Sequence, residues 1–141
     1  MKIIPILLIS TALITSAVVT AHILQSREDS PEEVFVPAST VGERMDYFAS
    51  HGWETAETGV KDITIPAVFS EEYEEYARIQ DKQGLPLRRF AGRNGQLYSF
   101  EVRNYSPENR RLLAELIVCD GIAAASMIYS EDGETLRMAV Q

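Results

Sequence analysis

The residues able to do chemistry in this sequence are few and far apart. Its two histidines and single cysteine are His22, His51 and Cys119. A thiol nucleophile needs a base within hydrogen-bond reach, so a Cys119–His51–carboxylate site is the only formal arrangement available. The run Leu116-Ile117-Val118 before Cys119 favours a buried thiol instead, and Gly52 after His51 favours a residue at a helix end. No Gly-x-Ser-x-Gly or His-Glu-x-x-His pattern occurs. One cysteine and one histidine outside the apolar N-terminus do not build a typical zinc site. For calcium, the acids are Glu71, Glu72, Glu74 and Glu75, and Ser130-Glu131-Asp132-Gly133-Glu134. Neighbouring helical glutamates diverge, and the second stretch lacks the alternating acids of a loop that wraps the ion. With 21 acids a carboxylate pair for glycoside hydrolysis is always conceivable, yet no pair stands out. No metal or cofactor is expected.

One window is less ordinary. Arg88, Arg89, Arg93, Arg103, Arg110 and Arg111 share it with only Glu101 and Glu108, in a chain of net charge −8. Arginine suits planar contact with carboxylate or phosphate. These six are the candidate binding face, for an acidic protein or an anionic envelope polymer or lipid headgroup. The plainer reading has them pair with the acidic second helix across the fold. Tyr73, Tyr76, Trp53, Tyr98 and Phe100 could line a ligand groove, although their spacing fits core packing better. The acidic balance excludes nucleic acid as the main partner, because phosphate binding needs a basic footprint.

The elements that must position these residues follow an apolar N-terminus. Ile3–Leu24 carries no Asp, Glu, Lys or Arg and is long enough for the ~20 residues of a membrane span. Lys2 and the free amino terminus precede it, and Arg27, Glu28, Asp29, Glu32 and Glu33 follow. The positive-inside rule then keeps the N-terminus cytoplasmic and the rest outside. A signal peptide cut after Val19-Thr20-Ala21 is the alternative, giving a secreted protein. Residues 1–24 are thus a signal-anchor or signal peptide. Residues 25–40, rich in acids, Ser and Pro, read as a stalk, except that Val34-Phe35-Val36 could pair on a sheet edge. Residues 41–141 form the extracytoplasmic domain.

Within that domain, Thr40-Val41-Gly42-Glu43 is a capping box, and Val41, Met45 and Phe48 fall on one helical face over Val41–His51. Trp53–Ile65 reads as a strand ended by Pro66. Ser70 caps a second helix with the stripe Phe69, Tyr73, Tyr76 and Ile79, and Gly84 stops it. Asn94-Gly95 predicts a hairpin turn between Phe90–Gly92 and Leu97–Tyr105, and Asp120-Gly121 a second between Arg111–Cys119 and Ile122–Tyr129. A last strand, Glu134–Val140, completes an α+β domain of order α-β-α-β-β-β-β. Two short helices on one face of an antiparallel sheet of four to five strands is the expected architecture.

The series Glu43-Arg44, Gly52-Trp53, Ile65-Pro66, Phe69, Tyr73, Tyr76, Gln80, Gln83-Gly84, Leu87, Gly92 and Asn104-Tyr105 resembles a bacterial domain of unknown function. That family, number four-eight-three-zero, occurs in exported or membrane-anchored proteins of Firmicutes. The likeness spans Glu43 to Tyr129 and implies an exported location without implying an activity. It departs at Ala123-Ala124-Ala125-Ser126, where the family has a Gly-Gly-Asp stretch. The expected role is a non-catalytic, membrane-tethered interaction module. A small envelope hydrolase and a sensory or inhibitory domain acting on a membrane partner are the alternatives.

Overall fold

The computed structural model describes residues 35–132 and 137–141. The Ile3–Leu24 segment and the stalk up to Val34 lie outside the described residues. No helix among the described residues is long and apolar enough to cross a membrane.

The order is α1 (Val41–Ser50), β1 (Thr55–Thr64), α2 (Glu71–Gln83), β2 (Asn94–Val102), β3 (Leu112–Cys119), β4 (Ile122–Ser130) and β5 (Arg137–Met138). The strands form one five-stranded antiparallel sheet in sequential order. The expected α+β class and element order therefore hold, and two short 3₁₀ turns, Leu87–Phe90 and Pro107–Asn109, join them.

The capping box forms as the sequence implies. Glu43 N donates to Thr40 Oγ1 at 3.1 Å, and Thr40 N donates to Glu43 Oε1 at 3.0 Å. The buried face of α1 is rotated from the expected stripe, however. Val41 and Met45 are 48% and 39% exposed, while Arg44, Tyr47 and Phe48 are buried. Arg44 can go inside because every side of it is met. It donates to both carboxylate oxygens of Glu57 (2.7 and 3.2 Å) and to the carbonyls of Ala38 and Ser39 (3.0 and 3.1 Å), and it lies 3.7 Å over the Tyr98 ring.

Three expectations fail here for physical reasons. First, the helices lie on opposite faces of the sheet. Phe48 of α1 packs on Phe100, ring to ring at 4.8 Å, over Leu112, Ala114, Leu116 and Val118. Ala77 of α2 packs with Ile117, Cys119, Ala125, Leu87 and Phe90 on the other face. Strand side chains alternate between faces, and β3 is apolar at both parities from Leu116 to Cys119, so both sides need cover. Second, Asn94-Gly95 is no turn: both residues lie in β2, paired with Thr64 and Ile63 of β1. Gly95 is required by a close approach, since a Cβ there would sit 2.6 Å from Cys119 Sγ and 2.7 Å from the Val118 carbonyl. The chain reverses earlier, where Gly92 (φ +79°) donates to the Ile65 carbonyl at 2.9 Å and Phe90 sits in a 3₁₀ turn rather than a strand. Third, the last strand ends at Met138, before the expected Val140; among the described residues β5 pairs Arg137 with Tyr129 and Met138 with Ile128. Glu134 to Leu136 lie outside the described residues.

The Asp120-Gly121 turn stands, with both residues at positive φ (51° and 74°), as a two-residue type I′ turn requires. The folded unit also takes in residues that composition assigns to the stalk. Ala123 N donates to the Val36 carbonyl at 2.9 Å and Ala38 N to the Gly121 carbonyl at 2.8 Å, so this segment covers one end of the β4 edge.

Candidate functional site

Along the middle of that same edge, α2 substitutes amide side chains for a strand. Gln80 Oε1 accepts from Ser126 N (2.8 Å), while its Nε2 donates to the Ser126 carbonyl (2.9 Å). Gln83 Nε2 donates to Gln80 Oε1 and the same carbonyl, and Gln83 Oε1 accepts from Val140 N at 2.8 Å. Tyr47 and Ser126 hydroxyls share a 2.7 Å hydrogen bond from the other face. Buried polar groups must be paired, and these are. This network builds the fold and holds α2 against β4.

Holding α2 there covers only part of the second sheet face. The rows Leu97–Ile117–Ala125, Ser99–Glu115–Met127 and Glu101–Leu113–Tyr129 run side by side across β2, β3 and β4. α2 lies over the first row. The second row sits at its margin, beneath Tyr73 and Tyr76, and the third is left beyond it. The outcome is a groove of about 440 Å³, floored by Ile63, Leu97, Ile117 and Glu115 and walled by Tyr73 and Tyr76. A smaller depression adjoins it between Tyr76, Met127, Tyr129 and Arg137. Phe69, Tyr73 and Tyr76 form a ladder of rings with centroids 4.8 and 5.6 Å apart.

Glu115 is the chemical centre of this groove. It stands half-buried in the middle of β3, and its one hydrogen bond among the described residues comes from the Tyr76 hydroxyl at 3.3 Å. An ionised carboxylate can accept at about four lone-pair positions, so most of its capacity is unused. Burial raises its pKa, and the Tyr76 hydrogen bond and the charges of Arg137 and Lys61 only partly oppose this. Burial likewise raises the Tyr76 pKa well above its ordinary value, aided by the nearby Glu115 charge. Tyr76 is therefore a donor throughout the physiological range. The sequence carried a signal for Glu115: it is the only charge between Leu112 and Cys119.

The six arginines do not gather into one face. Arg93 and Arg103 flank the nine residues of β2 and so lie at its two ends, roughly 30 Å apart. At one end Arg88 meets Glu74 (2.6 Å) and Asp81 (2.9 Å) of α2, and Arg93 meets Asp120 (2.7 Å). The Arg89 guanidinium is 5.6 Å from the Phe35 ring. At the other end Arg110 meets Glu108 (3.3 Å), and Arg111 lies between Glu101 (3.0 Å) and Glu131 (3.6 Å). Arg103 is exposed there, its backbone N donating to the Glu54 carbonyl.

The aromatic set also divides. Tyr73 and Tyr76 line the groove, Phe100 is core, Tyr98 lies under Arg44, and Trp53 Nε1 donates to the Val140 carbonyl at 2.8 Å. Cys119 and His51 belong to opposite faces: Cys119 is packed with the α2 cluster, and the His51 ring stacks edge-on to Tyr47 of α1 at 5.2 Å. Burial and the neighbouring Asp120 raise the Cys119 pKa, with Arg93 opposing, which keeps it a thiol. Among the described residues no cluster of His, Cys, Asp and Glu could hold a metal ion.

Compared with known proteins, the chain matches no family model, no curated protein and no solved structure.

Proposed function

We infer that this chain is an extracytoplasmic interaction module, held at the membrane by Ile3–Leu24, whose binding surface is the tyrosine-walled groove over Glu115. The observation that carries the reading is the half-covered sheet face. A domain of this size ordinarily closes its apolar sheet, yet here Leu97, Leu113 and Tyr129 remain partly accessible beside a half-buried carboxylate. Concave, mostly apolar surfaces with a few convergent polar groups are where ligands bind. The charge-free N-terminal run and its flanking charges support the tether and the location. A hydrolase is the weaker reading. Cys119 and His51 do not meet, and although Glu72 and Glu115 both line the groove, Glu72 is exposed and the groove is shallow and largely apolar.

Photo-crosslinking in native membranes tests this reading. A crosslinker replacing Leu97 should capture one protein, identified by mass spectrometry of the joined peptides, and filling the groove by Tyr76→Arg should abolish the capture. The same crosslinker at Glu75, on the outer side of α2, should not capture it. Equal capture from both positions, or none from Leu97, refutes the groove as the binding surface.

A further inference from the structure

Resting on that reading of the groove, we propose that its occupant is a lysine or arginine side chain of a protein partner, with Glu115 as the counter-charge.

Three observations converge on this chemistry. Glu115 is a lone carboxylate in the middle of a sheet, with no ion pair among the described residues and one 3.3 Å hydrogen bond from Tyr76. The walls beside it are tyrosine rings, Tyr73 and Tyr76 from α2 and Tyr129 from β4, whose faces attract a cation. The rest of the floor is apolar (Ile63, Leu97 and Ile117), so the methylene stem of a long basic side chain has surface to cover while its head reaches the carboxylate. The lining holds two carboxylates, Glu72 and Glu115, against one cation, Arg137, and the chain's net charge is −8, so the balance disfavours an anion. A purely apolar side chain would strip water from Glu115 without replacing its hydrogen bonds.

The charged and titratable groups facing Glu115 are known for each element around it. They are Lys61 from β1, Glu72, Tyr73 and Tyr76 from α2, Tyr129 from β4 and Arg137 from β5. The tyrosines stay neutral, since the pKa values of all three are raised, by burial first. Of the two carboxylates in the groove Glu72 is exposed and Glu115 half-buried, so the charge on Glu115 is the one that chiefly decides whether a cation is held. Binding a cation favours its ionised form, so occupancy draws the raised carboxyl pKa back down and is weakened by acid.

Full-length protein in detergent micelles, labelled at glutamate side-chain carbonyls, is titrated with Nα-acetyl-lysine methylamide and its arginine counterpart. The isosteric but uncharged norleucine counterpart is the control. The expected results are a fall in the Glu115 titration midpoint at saturation and an affinity that drops by about tenfold per pH unit once Glu115 is mostly protonated. Glu115→Gln should weaken the two basic probes by about tenfold without weakening norleucine. Equal binding of norleucine, an affinity independent of pH, or no response of Glu115 to either basic probe overturns the proposal. These failures are separable from failure of the groove itself, which is judged by whether the Leu97 crosslink persists.

Discussion

Arg44→Ala separates the domain's stability from the sequence pattern that fails to anticipate it. The guanidinium is buried, at 7% side-chain exposure, and its partner Glu57 is at 22%. Removing it leaves the Glu57 carboxylate without its bidentate partner and removes the donor to the carbonyls of Ala38 and Ser39. Breaking a buried ion pair by deleting one partner costs about 3–5 kcal/mol. The Glu57 end is wetter than a fully buried site, which places the expected cost near the lower bound. At about 4–8 °C per kcal/mol for a domain of this size, the melting temperature should fall by at least about 12 °C. The loss should also be local. Arg44 grips the carbonyls of the entering segment, so amide exchange at Ala38 and Ala123, whose N–H groups bridge that segment to β4 and its turn, should accelerate beyond the global change. Thermal melting of the full chain together with hydrogen exchange reads both. Glu57→Gln with Arg44→Met, which removes both charges at once, should recover part of the loss, because a missing pair is cheaper than an orphaned partner. A cost below about 1 kcal/mol, or exchange at Ala38 no faster than at the core, would refute Arg44 as the clasp of the entry segment.

Two further outcomes follow from the packing. Gly95→Ala should destabilise by about 1–3 kcal/mol through overpacking against Cys119 Sγ and the Val118 carbonyl, and Cys119→Ala should relieve part of it in a double-mutant cycle; purely additive effects would sink the close-contact account. Glu115→Gln should raise stability at neutral pH by about 1 kcal/mol. The sign follows from the raised folded-state pKa: the wild type is fully favoured below the unfolded carboxylate pKa and loses stability as pH rises through the folded value. The advantage of the glutamine variant must therefore vanish on acidification, and melting curves showing a constant offset across pH would contradict it.

How far the fold was legible depended on whether a signal had one physical cause or two. Thr40/Glu43, Ser70, Gly84 and Asp120-Gly121 were readable because capping geometry and positive φ leave few alternatives. Asn94-Gly95 misled because glycine answers two needs, a left-handed turn or a close approach, and only the position of Cys119 on the neighbouring strand decides between them. The same ambiguity hid Arg44, Gln80 and Gln83. Polar residues on a helix read as its wet side until the carbonyls and carboxylate that satisfy them come from segments remote in sequence. Those substitutions have a consequence for the site. Because Gln80 pairs with Ser126 as a strand would, the C-terminal half of α2 is fixed at β4, the helix lies over the Leu97–Ile117–Ala125 row, and the Ser99–Glu115–Met127 row is left at its margin. A search for chemistry by residue type found the arginines, which the structure divides between the two ends of β2. The carboxylate that lies in the groove was marked instead by context, as one charge in an apolar strand whose burial no nearby sequence feature explains. The groove and the network that opens it are thus a single design: the residues that close the β4 edge also decide how much of the sheet stays uncovered.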